Sequence, residues 1–241
     1  TLPMIIGSLL QQCYNIADTL IVGQCIGSSA LAAVGSAYTL MVFLISILLG
    51  LSMGSGTVFS LQYGAGRMKA LRRSIYVSAV LIGTVTIVLN IAALSFIHPI
   101  LKLLQIPDDI YQMMYDYLWI IFWGIGFTFI YNFYAALLRA IGNAVTPLYF
   151  LAISVVLNIG LDLFFILLLD WGIKGAAIAT IIAQGVSALG IMGYTYAKCP
   201  ELRLHRNDLH FDRHCLKEIT SFSTLTCIQQ SVMNLGILMV Q

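Results

Sequence analysis

The chain has 241 residues, of which 60% are hydrophobic and only 9% charged, with a mean hydropathy of +0.94 and a formal net charge of +2. A water-soluble domain of this length needs a far more charged surface, so the composition excludes an ordinary soluble enzyme and makes the lipid bilayer the first partner of the chain. No nucleic-acid partner is expected.

Apolar runs of about 20 residues recur between Gly, Pro and charge clusters, each long enough to cross a hydrocarbon core of roughly 30 Å at about 1.5 Å rise per residue. They predict helices over residues 1–22, 38–61, 75–97, 117–138, 149–169 and 173–196, with a seventh beginning near 219. The expected fold class is therefore all-α, a six-transmembrane-helix bundle plus the start of a seventh helix. The chain divides into a transmembrane lobe over 1–196, a cytoplasmic loop over 197–218 and the start of a second lobe over 219–241.

Loops rich in Lys and Arg stay on the cytoplasmic side. Ten of the twelve basic residues fall after the second helix (Arg67, Lys69, Arg72, Arg73), after the fourth (Arg139) and after the sixth (Lys198, Arg203, Arg206, Arg213, Lys217). The intervening loops hold Lys102 and Lys174 among Asp108, Asp109, Asp116 and Asp170. The first helix therefore runs from inside to outside, in a multi-pass arrangement. Pro3 inside an apolar run and the uncapped apolar stretch to Gln241 predict a longer parent chain. Gln11-Gln12 with Asn15 is faintly echoed by Gln229-Gln230 with Asn234, as in the paired repeats of transporters.

Within the spans, the residues that a membrane interior normally excludes carry the chemistry. Of ten acidic residues, only Asp18 and Asp162 fall inside predicted helices. An ionisable group there costs on the order of 2.5 to 3.5 kcal/mol and marks an ion pathway or a buried pair. No Lys or Arg lies mid-helix to neutralise either one. Given the topology, Asp18, Asp162 and Thr180 each lie roughly 6 to 10 Å from the outer surface. Helical spacing puts Gln11, Asn15 and Asp18 on one face with Tyr14 a turn below Asp18, Ser154, Asn158 and Asp162 on another, and Thr180, Gln184 and Ser187 on a third. Such stripes are expected to face one another inside the bundle, where two carboxylates, amide carbonyls and a hydroxyl suit a hard monovalent cation or a proton. Asn132 and Thr128 extend the candidate cavity, with plain packing the blander alternative. Tyr131, Phe133 and Tyr134 offer faces for cation stacking, although a lipid-facing or interfacial place is the default.

Several segments are similar to those of the multidrug and toxic compound extrusion (MATE) transporters. They are Tyr-Asn-Ile-Ala-Asp-Thr at 14–19 with Gly23 and Gly27, Gln-Tyr-Gly-Ala-Gly at 62–66, Leu-Arg-Ala-Ile-Gly-Asn at 138–143 with Pro147, and Asn-Ile-Gly-Leu-Asp at 158–162. Gly172, Gly175-Ala176-Ala177 and Ala179-Thr180 complete the set. The resemblance implies the amino-terminal lobe of a twelve-helix antiporter that exports small organic cations against proton or sodium influx, without an organic cofactor. It further implies a cell (plasma or inner) membrane location and a carboxy-terminal lobe of the same chain as partner. It implies a cation site at positions matching Gln11, Tyr14, Asp18, Asn158, Asp162 and Thr180, with no other metal site.

The five cysteines show no metal-ligand spacing and an odd count. His205, His210 and His214 lie among loop charges. No phosphate-binding glycine loop is present. Two rival readings remain. An intramembrane aspartyl protease also needs two buried Asp, but its second resembles Gly-x-Gly-Asp, where this chain reads Gly160-Leu161-Asp162. The alternative function is a flippase for lipids or lipid-linked oligosaccharides, which is expected to need a cationic cavity.

Overall fold

The structure is a computed structural model that describes residues 2–103, 106–204 and 213–240. His205, Arg206, Asp208, His210 and Asp212 of the long basic loop, and the side chain of Asn234, lie outside the described residues. Among those described, every regular element is helical.

In chain order the helices are α1 (Leu2–Cys25), α2 (Ser28–Gly64), α3 (Met68–Ser95), the short α4 (Ile97–Leu103), α5 (Asp108–Trp123), α6 (Ile125–Ala140), α7 (Val145–Leu163), α8 (Gly172–Lys198) and α9 (Arg213–Val240). A π-helical turn, Phe164–Leu168, extends α7, and a single 3-10 turn, Pro200–Leu202, follows α8. Four of these units are long and apolar enough to cross a membrane, and the α5–α6 pair, bent by 45°, makes a fifth. Helices α1 and α9 have the length, at 24 and 28 residues. Gln11, Gln12, Asn15 and Asp18 dilute the apolarity of α1, and a charged first turn dilutes that of α9. Six helical units followed by a seventh agree with the expected bundle.

Three boundaries differ from expectation. Helix α2 begins at Ser28 and not at 38, because the Ala- and Ser-rich stretch that follows Gly27 forms helix readily without being apolar enough to read as a span. Gly27, at φ 121°, makes the break from α1 in a conformation that L side chains resist. At 37 residues, or about 55 Å, α2 is longer than the hydrocarbon core. The acidic segment around Asp108, read as a loop, is instead the start of α5: Asp108 and Asp109 sit in its first turn, where carboxylates complement the helix dipole. Asp116 pairs with Lys174 of α8 at 3.2 Å. Helix α9 starts at Arg213, earlier than 219, since a polar turn precedes its apolar run.

The predicted fourth helix is thus two, α5 and α6, meeting at Gly124. A Cβ there would lie 2.9 Å from Ile181 Cγ1, so glycine lets α8 approach the bend. At the bend the Phe122 carbonyl accepts both from a backbone N–H at the end of α5 and from Asn90 Nδ2 of α3. Asn90→Leu is expected to remove this cross-helix hydrogen bond and to lower stability by about 0.5 to 1.5 kcal/mol, read as thermal unfolding of the purified protein in detergent.

Helix α2 is the hub and packs against α3, α5, α6 and α9. Phe59 of α2 meets Phe133 of α6 edge to face at 6.0 Å in the core. Helices α7 and α8 pack together, and α1 lies against α7. The exposed apolar side chains Ile5, Leu9, Ile16 and Leu20 of α1 fall on the face opposite Gln11, Tyr14 and Asp18. The same opposition holds in α7, with Ile153 and Val156 outward, and in α8, with Ile182, Val186 and Leu189 outward. Lipid-compatible surfaces outside and polar stripes inside turn the three helices toward one another.

Candidate functional site

The three stripes meet where α1, α7 and α8 come together. Thr180 is the node: its Oγ1 accepts from Tyr14 Oη at 3.4 Å and from Asn158 Nδ2 at 3.3 Å, joining all three helices through one hydroxyl. The carboxyls of Asp18 and Asp162 are direct neighbours across the α1–α7 contact. Asp162 and Asn158 are fully buried and Thr180 is 6% exposed.

The hydrogen-bond balance at this node is one-sided. Asp18 Oδ1, Asn158 Oδ1 and both Asp162 oxygens are buried and receive no hydrogen bond among the described residues. Four acceptor oxygens without donors are costly in a low-dielectric interior, because each has lost its water without gaining a partner. A cation or a proton removes that cost, since it supplies the positive charge that every one of these oxygens lacks. In chemical terms the donor set is all oxygen, the choice of hard cations.

Two chambers adjoin the node. The larger, of 420 Å³, has Asp18, Tyr14 and Thr180 on its wall together with Asn15, Gln184 and Tyr117. The smaller, of 170 Å³, is bounded by Thr128, Tyr131, Asn132, Ser154 and Ser187, and Gln11 and Gln184 line both. Thr128 Oγ1 donates to Gln184 Oε1 at 3.1 Å, and Asn132 Nδ2 to the Thr128 carbonyl at 2.8 Å. Among the described residues lining the two chambers none is Lys, Arg or His.

Asp18, Asp162, Asn158, Thr180 and Tyr14 therefore form one cluster. Gln11 is exposed and lies two turns, about 10 Å, along α1 from Asp18, on the chamber walls and away from the carboxylates. Asn15 lines the larger chamber, where its Nδ2 bonds Gln12 Oε1 at 3.5 Å. Tyr131 reaches the smaller chamber while donating to the Pro147 carbonyl at 3.0 Å. Phe133, 3% exposed, belongs to the core, where its ring meets Phe59 and Phe129, and it lines neither chamber.

One residue escaped the reading of the sequence. Tyr117 of α5 is buried beside Asp18, Tyr14 and Asp162 and forms part of the larger chamber. Its signal was the spacing Ile110, Met114, Tyr117, Ile121, all buried on one face of α5. Reading 108–116 as a loop broke that stripe.

A helical bundle with lipid-compatible outer faces and polar chambers around buried carboxylates has the build of a membrane transporter. A MatE family profile matches residues 3–164. The chain is 35% identical over 189 residues to the probable multidrug resistance protein YpnP of Bacillus subtilis (strain 168), covering 78% of this chain and 42% of that protein. It is 29% identical to the probable multidrug resistance protein NorM of Thermotoga maritima, over 99% of this chain and 52% of that one. A crystal structure of MATE in complex with MaL6 superposes with a TM-score of 0.92 at 24% identity, over 99% of this chain and 53% of that chain, which is a likeness of fold. The chain belongs to the MatE family of membrane transporters. It spans about half the length of the curated relatives it matches.

Proposed function

We propose that this chain forms the amino-terminal lobe of a secondary antiporter in the cell membrane, which exports small organic cations in exchange for proton or sodium influx. Asp18, Asp162, Asn158 and Thr180, with Tyr14 beside them, bind the coupling ion, and Gln11 lines its approach. The observation that carries this reading is the set of four buried acceptor oxygens that lack donors at the α1–α7–α8 junction.

The mechanism follows from neutralisation. With no ion, two neighbouring carboxylates repel across the α1–α7 contact. An ion or proton arriving from the outer side cancels that repulsion and allows α1 to repack against α7 and α8. A ligand biases two states only by its differential affinity for them, so the ion favours the conformation in which α1 and α7 close on it. Repacking α1 changes the wall of the larger chamber, because Tyr14, Asn15 and Asp18 are part of that wall. Substrate held there against a second lobe is released outward. Tyr14, Tyr117 and Tyr131 offer ring faces, and Asp18 a negative charge, which favours organic cations. Relatives named multidrug resistance proteins support small organic substrates in general. Chambers lined by neutral and acidic side chains give the flippase alternative no support.

Titration calorimetry with sodium chloride on the purified full-length protein, beside proton uptake in unbuffered solution, tests the site. Sodium heat or proton uptake is expected in the parent and absent in Asp18→Asn and Asp162→Asn. Binding of both ions independent of either aspartate would refute the assignment. Thr180→Val, which removes the hydroxyl shared by Tyr14 and Asn158, is expected to weaken ion binding on the order of tenfold, and Thr180→Ser to restore it.

A further inference from the structure

With the basic loops on the cytoplasmic side, the smaller chamber lies inward of the ion site on every helix that builds that site. Gln11 precedes Asp18 by two turns on α1, and Ser154 precedes Asn158 by one turn on α7. On α8, Gln184 and Ser187 follow Thr180 by one and two turns. Tyr14 and Gln184 line both chambers, so the two meet beside the node. At 170 Å³ the smaller one has room for several waters, at roughly 30 Å³ each in the liquid, and falls short of the roughly 300 to 1,000 Å³ of pockets for drug-sized ligands. Its polar side chains are carboxamides and hydroxyls, and among the described residues no ionisable acid or base other than tyrosine lines it. Such oxygens replace part of a hydration shell without a fixed charge to trap a cation, as a conduit needs.

Further inward, α6, α7 and α8 close the chamber with an apolar plug. Ala135 and Leu138 of α6 and Ile191 of α8 are buried together, and Phe150 of α7 and Tyr194 of α8 pack against them. The Phe150 and Tyr194 rings meet edge to face at 6.2 Å. A Cβ at Gly190 would lie 2.6 Å from Phe150 Cε1, so the ring rests directly on the backbone of α8. Ser187 Oγ, on the chamber wall, donates to the Phe150 carbonyl and fixes the plug to the chamber. A constriction of apolar side chains stops ions by excluding water, and admits them once its rings move apart.

We infer that the smaller chamber is the inner half of the coupling-ion path. A sodium ion or proton released from Asp18 and Asp162 passes Gln184 and Thr128, is hydrated in the chamber, and reaches the cytoplasmic side when Phe150 and Tyr194 part. The inference rests on the ion site proposed above. It gives the two chambers separate traffic, organic substrate in the larger and the ion in the smaller, so that the two species move in opposite directions without sharing one conduit.

The test uses the full-length protein in sealed vesicles that hold a pH-sensitive or a sodium-sensitive dye, with a proton or a sodium gradient imposed and no organic substrate present. Phe150→Ala, which removes the ring from the plug, is expected to raise ion leak over the parent by on the order of tenfold under at least one gradient. Adding Asp162→Asn to Phe150→Ala is expected to return the leak to the parent level, a reversal that a damaged or misfolded protein does not give. Ser154→Leu, which fills the chamber with an apolar side chain, is expected to slow gradient-driven efflux of a fluorescent organic cation by on the order of tenfold while ion binding, read by calorimetry and proton uptake, is retained. No leak in Phe150→Ala, a leak that survives Asp162→Asn, or efflux at the parent rate in Ser154→Leu overturns the inference and leaves the ion site standing. Ion binding that is independent of both aspartates overturns the two together.

Discussion

Asp162→Asn in the full-length protein is expected to raise thermal stability in alkaline, sodium-free buffer while abolishing gradient-driven efflux. Asp162 is fully buried with both oxygens lacking donors. The isosteric amide removes a buried charge and brings its own N–H₂ donors toward Asp18 and Asn158. Relief of the unpaired group is worth about 1 to 3 kcal/mol. The opposite signs are the point: a carboxylate kept only for structure would lose stability on substitution, whereas a carboxylate kept for an ion is a burden without it. Adding sodium or lowering the pH is expected to stabilise the parent more than the variant, because the variant keeps only the Asp18 carboxylate to take up a cation or a proton. Equal stabilisation of both by either treatment contradicts the role of Asp162. Asp18→Asn is expected to behave alike in efflux.

The second large effect lies between α2 and α9. Gly50 and Gly54 repeat at the four-residue spacing that lets membrane helices approach closely. A Cβ at Gly54 would lie 2.4 Å from Ser223 Cα, and one at Gly50 would lie 2.7 Å from Cys227 Cα. These are backbone atoms, so no rotamer change relieves the clash. Across the same seam Ser223 Oγ donates to the Leu51 carbonyl at 3.3 Å and Cys227 Sγ to that of Ile47 at 3.5 Å. Gly54→Val is expected to cost at least about 1 to 3 kcal/mol and to force α9 away from α2. Gly35→Ala in the same helix, with nothing within 4 Å, is the matched control and is expected to be neutral or slightly stabilising. Thermal unfolding of the two variants reads the difference.

Much of the candidate site was legible because intramembrane polar residues are rare and helical spacing is rigid. Asp18, Asn158, Asp162 and Thr180 stood out as charges or stripes in apolar runs, and depth counted from the basic loops brought them to one level. The pairing of Tyr14 and Asn158 on a single hydroxyl was out of reach, since spacing names a face without naming the neighbour across it. Tyr117 was lost for a different reason. Hydropathy marks where a helix is apolar and not where it is helical, so Asp108 and Asp116 disguised two turns of α5. The same confusion hid the small-residue start of α2 and the charged start of α9. At the Gly124 bend Asn90 reaches the Phe122 carbonyl from another helix, a tertiary contact that no local pattern carries.

The most direct measurement is efflux of a fluorescent organic cation by the full-length protein in sealed vesicles, with a sodium gradient and a pH gradient imposed separately, in the parent and in Asp162→Asn. The account predicts dye transport under at least one gradient in the parent and none in the variant, and the effective gradient names the coupling ion. Efflux that persists in Asp162→Asn, or no efflux by the parent under either gradient, would contradict it.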